Sequence, residues 1–179
     1  AIYAVGSLHA QTSTFRSNTT AGAGGAILAT STLTVSQCTF NKNTAAGAAG
    51  GGAIAHTSTA TLTINNSTIY DNTATNSSLT TSGGGFVQSG SGPLALSSSI
   101  IAGNKLTAGT SALGRDVAST GGITVAGNNC LIGTNDNSGI TLTGTPTLTG
   151  PGTGGTGTAT GTFTTSGSNL GIASGIVLS

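Results

Sequence analysis

Charge is what this sequence has least of. Only 4% of its 179 residues are Asp, Glu, Lys or Arg, against about a quarter in an ordinary globular domain. Four cations, Arg16, Lys42, Lys105 and Arg115, stand against three aspartates, Asp71, Asp116 and Asp136; glutamate, methionine and tryptophan are absent. Scattered cations and 3% aromatic residues make no basic patch interleaved with stacking rings, so no nucleic-acid partner is expected. Long apolar runs are missing too. None approaches the ~18 residues that cross a bilayer, and no basic segment followed by an apolar one opens the sequence, so no transmembrane segment is expected and the chain reads as mature or as a fragment. Disorder driven by self-repulsion is disfavoured, because the formal net charge is only +1. A near-neutral chain of this kind fits assembly outside a cell better than the cytosol, where charge maintains solubility. An extracellular or cell-surface location is therefore expected.

What is present is glycine, at 31 residues, with Thr, Ser, Ala and Asn filling most of the rest. These residues favour tight turns and closely packed β-structure, and they disfavour helix interiors for reasons of entropy and competing side-chain hydrogen bonds. No stretch carries a sustained 3.6-residue apolar period.

Repetition supplies the main signal. Gly24-Gly25-Ala26-Ile27 and Gly51-Gly52-Ala53-Ile54 are identical, and Gly84-Gly85-Phe86-Val87 is read as their third copy. A second element follows each: Leu33-x-Val35, Cys38-x-Phe40, Asn43; then Leu62-x-Ile64, Ser67-x-Ile69, Asn72; then Leu94-x-Leu96, Ser99-x-Ile101, Asn104. An earlier copy reads Leu8-x-Ala10, Ser13-x-Phe15, Asn18, and a later one runs from Arg115-Asp116-Val117 to Cys130-x-Ile132 and Asn135. The asparagines at 18, 43, 72, 104 and 135 advance by 25, 29, 32 and 31 residues, the spacing of one solenoid turn with variable loops.

The expected fold is accordingly all-β: a right-handed parallel β-helix of about five to seven coils, with repeats over 1–138. A Thr/Gly-rich segment over 139–179 is read either as a flexible tail or as a final coil with a capping or donor strand at Ile176, Val177 and Leu178. Stacking would place Phe15, Phe40, Ile69, Ile101 and Ile132 in one inner column, about 4.8 Å apart, and Asn18, Asn43, Asn72, Asn104 and Asn135 in another. Stacked amides can bond along such a column, and Asn tolerates left-handed turn geometry.

These residues carry a family resemblance. The Gly-Gly-Ala-Ile element paired with Phe15-Arg16-Ser17-Asn18 and Phe40-Asn41-Lys42-Asn43 resembles the repeats of polymorphic outer-membrane proteins of the autotransporter kind. Arg115-Asp116-Val117 followed by Asn129-Cys130-Leu131-Ile132-Gly133 is similar to the closing repeats of right-handed β-helix surface proteins of the pectate-lyase-like superfamily. The resemblance covers about residues 1–135 and implies secretion, surface display, adhesion or assembly.

Little points to catalysis. An enzyme of this architecture acting on acidic polysaccharide needs converging carboxylates, often with calcium. Asp71 is expected in a turn, Asp116 in an ion pair with Arg115, and Asp136 in a loop. His9 and His56 are read as surface polar residues, and two isolated histidines fall short of a metal site; no cofactor is expected. No Gly-x-Ser-x-Gly elbow precedes a helix. Cys38 and Cys130 share a column three coils apart, roughly 14 Å, beyond disulfide reach, so both are expected as free buried thiols. Of the sequons at Asn18, Asn65, Asn66 and Asn76, Asn18 is expected to be buried and Asn76 to be the better acceptor.

The leading expectation is a non-enzymatic extracellular structural protein. It would assemble with copies of itself, head-to-tail or by donor strand, into a fibre, sheath or surface layer. Two others stay open: an adhesin passenger whose loops 73–82 and 105–114 meet cell-surface glycans or proteins, and an ice-binding solenoid using Thr12/Thr14, Thr32/Thr34, Thr61/Thr63 and Thr141/Thr143. A polysaccharide lyase stands last.

Overall fold

The computed structural model describes residues 1–75, 82–108, 111–113, 116–121, 123–126, 129–133, 140–143 and 147–149. Within them the chain is an all-β parallel solenoid with no helix. Four short strands make a coil. The first coil contains β1 (Ile2–Ala4), β2 (Leu8–Gln11), β3 (Thr14–Arg16) and β4 (Thr19–Thr20). The second contains β5 (Ile27–Ala29), β6 (Leu33–Ser36), β7 (Thr39–Asn41) and β8 (Thr44–Ala45). The third is β9 (Ile54–His56), β10 (Leu62–Asn65), β11 (Thr68–Tyr70) and β12 (Thr73–Thr75), and the fourth β13 (Phe86–Gln88), β14 (Leu94–Ser97), β15 (Ile100–Ala102) and β16 (Lys105–Ala108).

Equivalent strands pair in parallel and in register, so four sheets run along the axis. Alternation then decides what is inside. Ile27, Ile54, Phe86 and Val117 form one buried row; Leu33, Leu62 and Leu94 form a second, beside Val35, Ile64 and Leu96. Phe40, Ile69, Ile101 and Ile132 form the third, extended outward by the half-buried Phe15, whose ring stacks on Phe40 with centroids 4.7 Å apart. In a coil this narrow the three rows meet and bury one another in a single apolar cluster.

One alignment in the sequence needs correction. The third copy of the glycine element is Gly83-Gly84-Gly85-Phe86, one residue earlier than read, because Phe86 pairs with Ile54 and Val87 with Ala55. A one-residue slip would turn Phe86 away from the core. Gly85 stands in the alanine row, where a Cβ would lie 2.6 Å from the Asp116 carbonyl oxygen and 2.9 Å from the Asn104 amide nitrogen.

After the fourth coil the pattern changes. β17 (Ser111–Leu113) folds back antiparallel on β16, so much of 105–114, expected as an exposed loop, is a β-hairpin whose Leu106 is fully buried. The first sheet continues with β18 (Val117–Ser119) and the third with β20 (Cys130–Ile132). Between them β19 (Ile123–Ala126) pairs with β21 (Ile140–Thr143), and β20 pairs with β22 (Thr147–Thr149). The expected strand at Ile176, Val177 and Leu178, and the sequon at Asn76, lie outside the described residues.

Two corners of each coil require left-handed backbone. Thr12, Gln37, Asn66, Ser98 and Asn129 form one column, with φ between 44° and 55°; Ser17, Lys42, Asp71 and Gly103 form the other, with φ from 54° to 70°. The second column stands one residue before the asparagines, so the expectation that those asparagines adopt this geometry is corrected: the preceding residue does. A left-handed residue with a Cβ costs about 1–2 kcal/mol, and a β-branched one more. Each coil closes where Gly25, Gly52 and Gly84 touch backbone of the fourth sheet; a Cβ on Gly52 would lie 2.1 Å from the Gly84 carbonyl oxygen and 2.6 Å from Thr73 backbone.

Gly52→Ala is therefore expected to lower stability by more than about 3 kcal/mol, as overpacking against backbone that cannot yield. Gln37→Val is expected to cost about 1–2 kcal/mol through backbone strain at an exposed site. Urea unfolding of both variants checks this; a neutral Gln37→Val would contradict the assigned corner.

Candidate functional site

The polar residues that the repeat places inside the solenoid are the only dense, specific chemistry among the described residues. Asn43, Asn72 and Asn104 are buried and Asn18 is half-buried, less than expected, because its coil lies at the edge of all four sheets. The Asn18 amide nitrogen donates to Asn43 Oδ1 at 2.9 Å, Asn43 to Asn72 Oδ1 at 2.8 Å, and Asn72 to Asn104 Oδ1 at 2.9 Å. The same oxygens accept the backbone N–H of Asn18, Asn43 and Asn72 at 3.1, 2.9 and 3.0 Å. Each inner side chain also reaches back one coil: Asn43 Nδ2 donates to the Phe15 carbonyl, Asn72 to that of Phe40 and Asn104 to that of Ile69. Every inner amide thus ties three coils, and its oxygen replaces the strand partner that the corner takes away from a buried N–H.

Among the described residues the ladder runs as far as Asp116. Its Oδ1 accepts both the backbone N–H and the Nδ2 of Asn104 at 2.7 Å. Asp116 was expected beside Arg115, which lies outside the described residues, as do Asn135 and Asp136. Asp116 itself is buried. It occupies the first-sheet row of Ala26, Ala53 and Gly85, whose Cβ positions face the asparagine corner. From there a one-carbon carboxylate reaches the site where the next asparagine oxygen would stand. Sequence comparison within the repeat missed this because Asp116 belongs to a different column.

The other corner works alike with smaller groups. Ser67 Oγ accepts the Cys38 N–H at 3.1 Å, Ser99 Oγ accepts that of Ser67 at 3.1 Å, and the hydroxyls of Ser67 and Ser99 donate to Asn65 and Ser97 carbonyls. Cys38 and Cys130 are buried and form no disulfide; Cys38 Sγ lies 3.3 Å from the Ser36 carbonyl oxygen.

His56 corrects the surface reading given to both histidines. His9 is exposed on the second sheet, but His56 is fully enclosed, with Nε2 2.9 Å from the Ser31 carbonyl oxygen. Its position in the alternation is two residues from the inner Ile54, on the same side of the strand, which is the signal that places it inside. Burial pushes its pKa below the usual 6.5, partly opposed by the Ser31 carbonyl.

Asp71 lies at a corner, 3.8 Å from Lys105 Nζ, an exposed pair worth little. Among the described residues no three His, Cys, Asp or Glu side chains converge as metal ligands, and no helix is long and apolar enough to cross a membrane. Thr34 and Thr63 face outward in a row bounded by His9 and Ala95, so that threonine array is two rungs tall, and Thr12 is a left-handed corner residue outside any strand. No protein-family model, curated protein or solved structure matches the chain.

Asn72→Ala removes an acceptor for two buried N–H groups and a donor to Phe40, so a loss of about 3–5 kcal/mol is expected. Asn18→Ala, at the half-buried end, should cost about 1 kcal/mol. Asn72→Asp should cost at least as much as alanine, since it sets a carboxylate against Asn104 Oδ1, whereas Asp116→Asn keeps an oxygen for Asn104 and should be milder. Equilibrium unfolding of the four variants tests the direction of the ladder; equal losses in Asn72→Asp and Asp116→Asn would contradict it.

Proposed function

We propose that the chain is a non-enzymatic extracellular structural protein, a subunit of a self-assembling fibre, sheath or surface layer that grows by adding rungs in register. The observation that carries this reading is the in-register stacking itself, in which each described coil offers its neighbour the same strand edges and the same inner columns. β1, β2, β3 and β4 each stand at the end of a sheet, with Ile2, Tyr3 and Val5 exposed by 39, 66 and 70% and Phe15 half-buried. This surface is complementary to another rung of the same repeat, because every inner coil buries the same surface against a neighbour. Unpaired strand edges template such addition, and a head-to-tail contact between copies propagates rather than closes. The described carboxylates support the non-enzymatic side of the reading: Asp116 is held by Asn104 in the ladder and Asp71 stands at a corner beside Lys105.

A second reading, a surface-displayed adhesin passenger, rests on the resemblance to polymorphic outer-membrane protein repeats and on Tyr70 and Ile100, both exposed on the outer face of the third sheet. Such a chain would bind a cell surface through that face rather than through its rung edge.

Negative-stain microscopy and sedimentation of the purified chain are expected to give linear oligomers whose length rises with concentration. Val5→Lys together with Tyr3→Lys, which places like charges on the first edge, should return monomers with unchanged circular dichroism. Dispersed monomers of the unsubstituted chain at high concentration would overturn the assembly reading.

A further inference from the structure

A polar row runs through the corner between the first and second sheets. Ala29, His56, Gln88 and Ser119 occupy equivalent positions in successive coils, and all four are buried. The Ser31 carbonyl can only accept, so the contact at 2.9 Å puts the ring hydrogen on His56 Nε2. In the neutral ring Nδ1 is then a bare lone pair, and it is buried with no partner. One rung on, Gln88 Nε2 donates to the Gly92 carbonyl at 2.7 Å, and Gln88 Oε1 is likewise buried without a partner. Two neighbouring rungs thus hold two acceptors and no donor for either. Buried polar groups left in this way are rare and costly. Proton uptake at Nδ1 is the one change of protonation that would create a donor in this row.

Among the described residues no charge nearby favours that uptake. The flanking strands β5 and β13 read Ile-Leu-Ala and Phe-Val-Gln, and β6 and β10 beyond the turn read Leu-Thr-Val-Ser and Leu-Thr-Ile-Asn, so none brings a titratable group. Arg16, Lys42, Asp71 and Lys105 stand on the third and fourth sheets or the corner between them, His9 faces outward from the second sheet, and Asp116 lies at the asparagine corner.

We propose that His56 is a buried acid latch. Uncharged, it seals the turn at Ser31 and locks the third coil to the second; one proton from solvent, added at Nδ1, charges the ring and opens that corner. The inference stands whether or not the chain assembles. Burial holds the folded-state pKa below 6.5, so the open state takes up the proton first. The stabilisation is complete above pH 6.5 and is lost as pH falls from 6.5 toward the lowered value. For one proton the opening constant rises at most tenfold per pH unit in that window.

The test is urea unfolding between pH 5 and 8 of the full chain, His56→Gln and His9→Gln, with an NMR titration of the two imidazoles in the unsubstituted chain. Glutamine already fits this row at Gln88. The unsubstituted chain and His9→Gln should weaken on acidification, and His56→Gln should lose that dependence. An equal slope in His56→Gln, or a His56 ring titrating at or above 6.5, would overturn the latch; the NMR readout decides even where the variant does not fold.

Discussion

The corner between the third and fourth sheets is the constraint on which the solenoid depends. A strand ladder satisfies backbone N–H groups only while the chain runs straight, and at a tight buried corner a donor is left over. Asparagine resolves this because a single short side chain offers an oxygen to the coil on one side and two N–H groups to spend on its neighbours. The oxygen of Asn72 takes two donors from Asn43 while its nitrogen serves Phe40 and Asn104. Serine meets the same need at the preceding corner with one acceptor. Without these bonds, register between coils would rest on the strand ladders and on apolar packing, which is non-directional.

Other features follow from that corner. An inward asparagine needs a sharp bend just before it, which Ser17, Lys42, Asp71 and Gly103 supply with left-handed backbone. Only one of the four is glycine, so three coils accept strain at this point. The bend also brings the fourth sheet against the start of the first, and glycines at 25, 52 and 84 permit that approach. The glycine content noted in the sequence is therefore partly a closure requirement repeated at every turn.

The repeat and its inner columns were legible in the sequence because side-chain direction in a strand has period two and equivalent offsets recur. Leu33, Leu62 and Leu94, like Phe40, Ile69 and Ile101, needed only that rule. The glycine element was misread by one residue in the third coil, where three consecutive glycines gave no internal landmark and only the inward Phe86 fixes the phase. His56 was assigned to the surface from its chemistry although its parity with Ile54 pointed inward. Asp116 was invisible as a ladder member because its role depends on two columns, distant in the repeat, meeting across the closure. The hairpin after Lys105 carried no repeat signal at all.

A regular solenoid places the same chemistry at every rung, so whatever is specific to this chain resides where a rung departs from the consensus. Asp116 is such a departure. An asparagine there would carry its own N–H groups and need an acceptor on the following rung, whereas a carboxylate only accepts. Among the described residues the ladder reaches as far as Asp116, next to the hairpin of β16 and β17, where the four-strand coil gives way to a different pattern. Gly133 lies over the remaining carboxylate oxygen, where a Cβ would come within 2.4 Å. The change from amide to acid thus coincides, among the described residues, with the change of strand pattern.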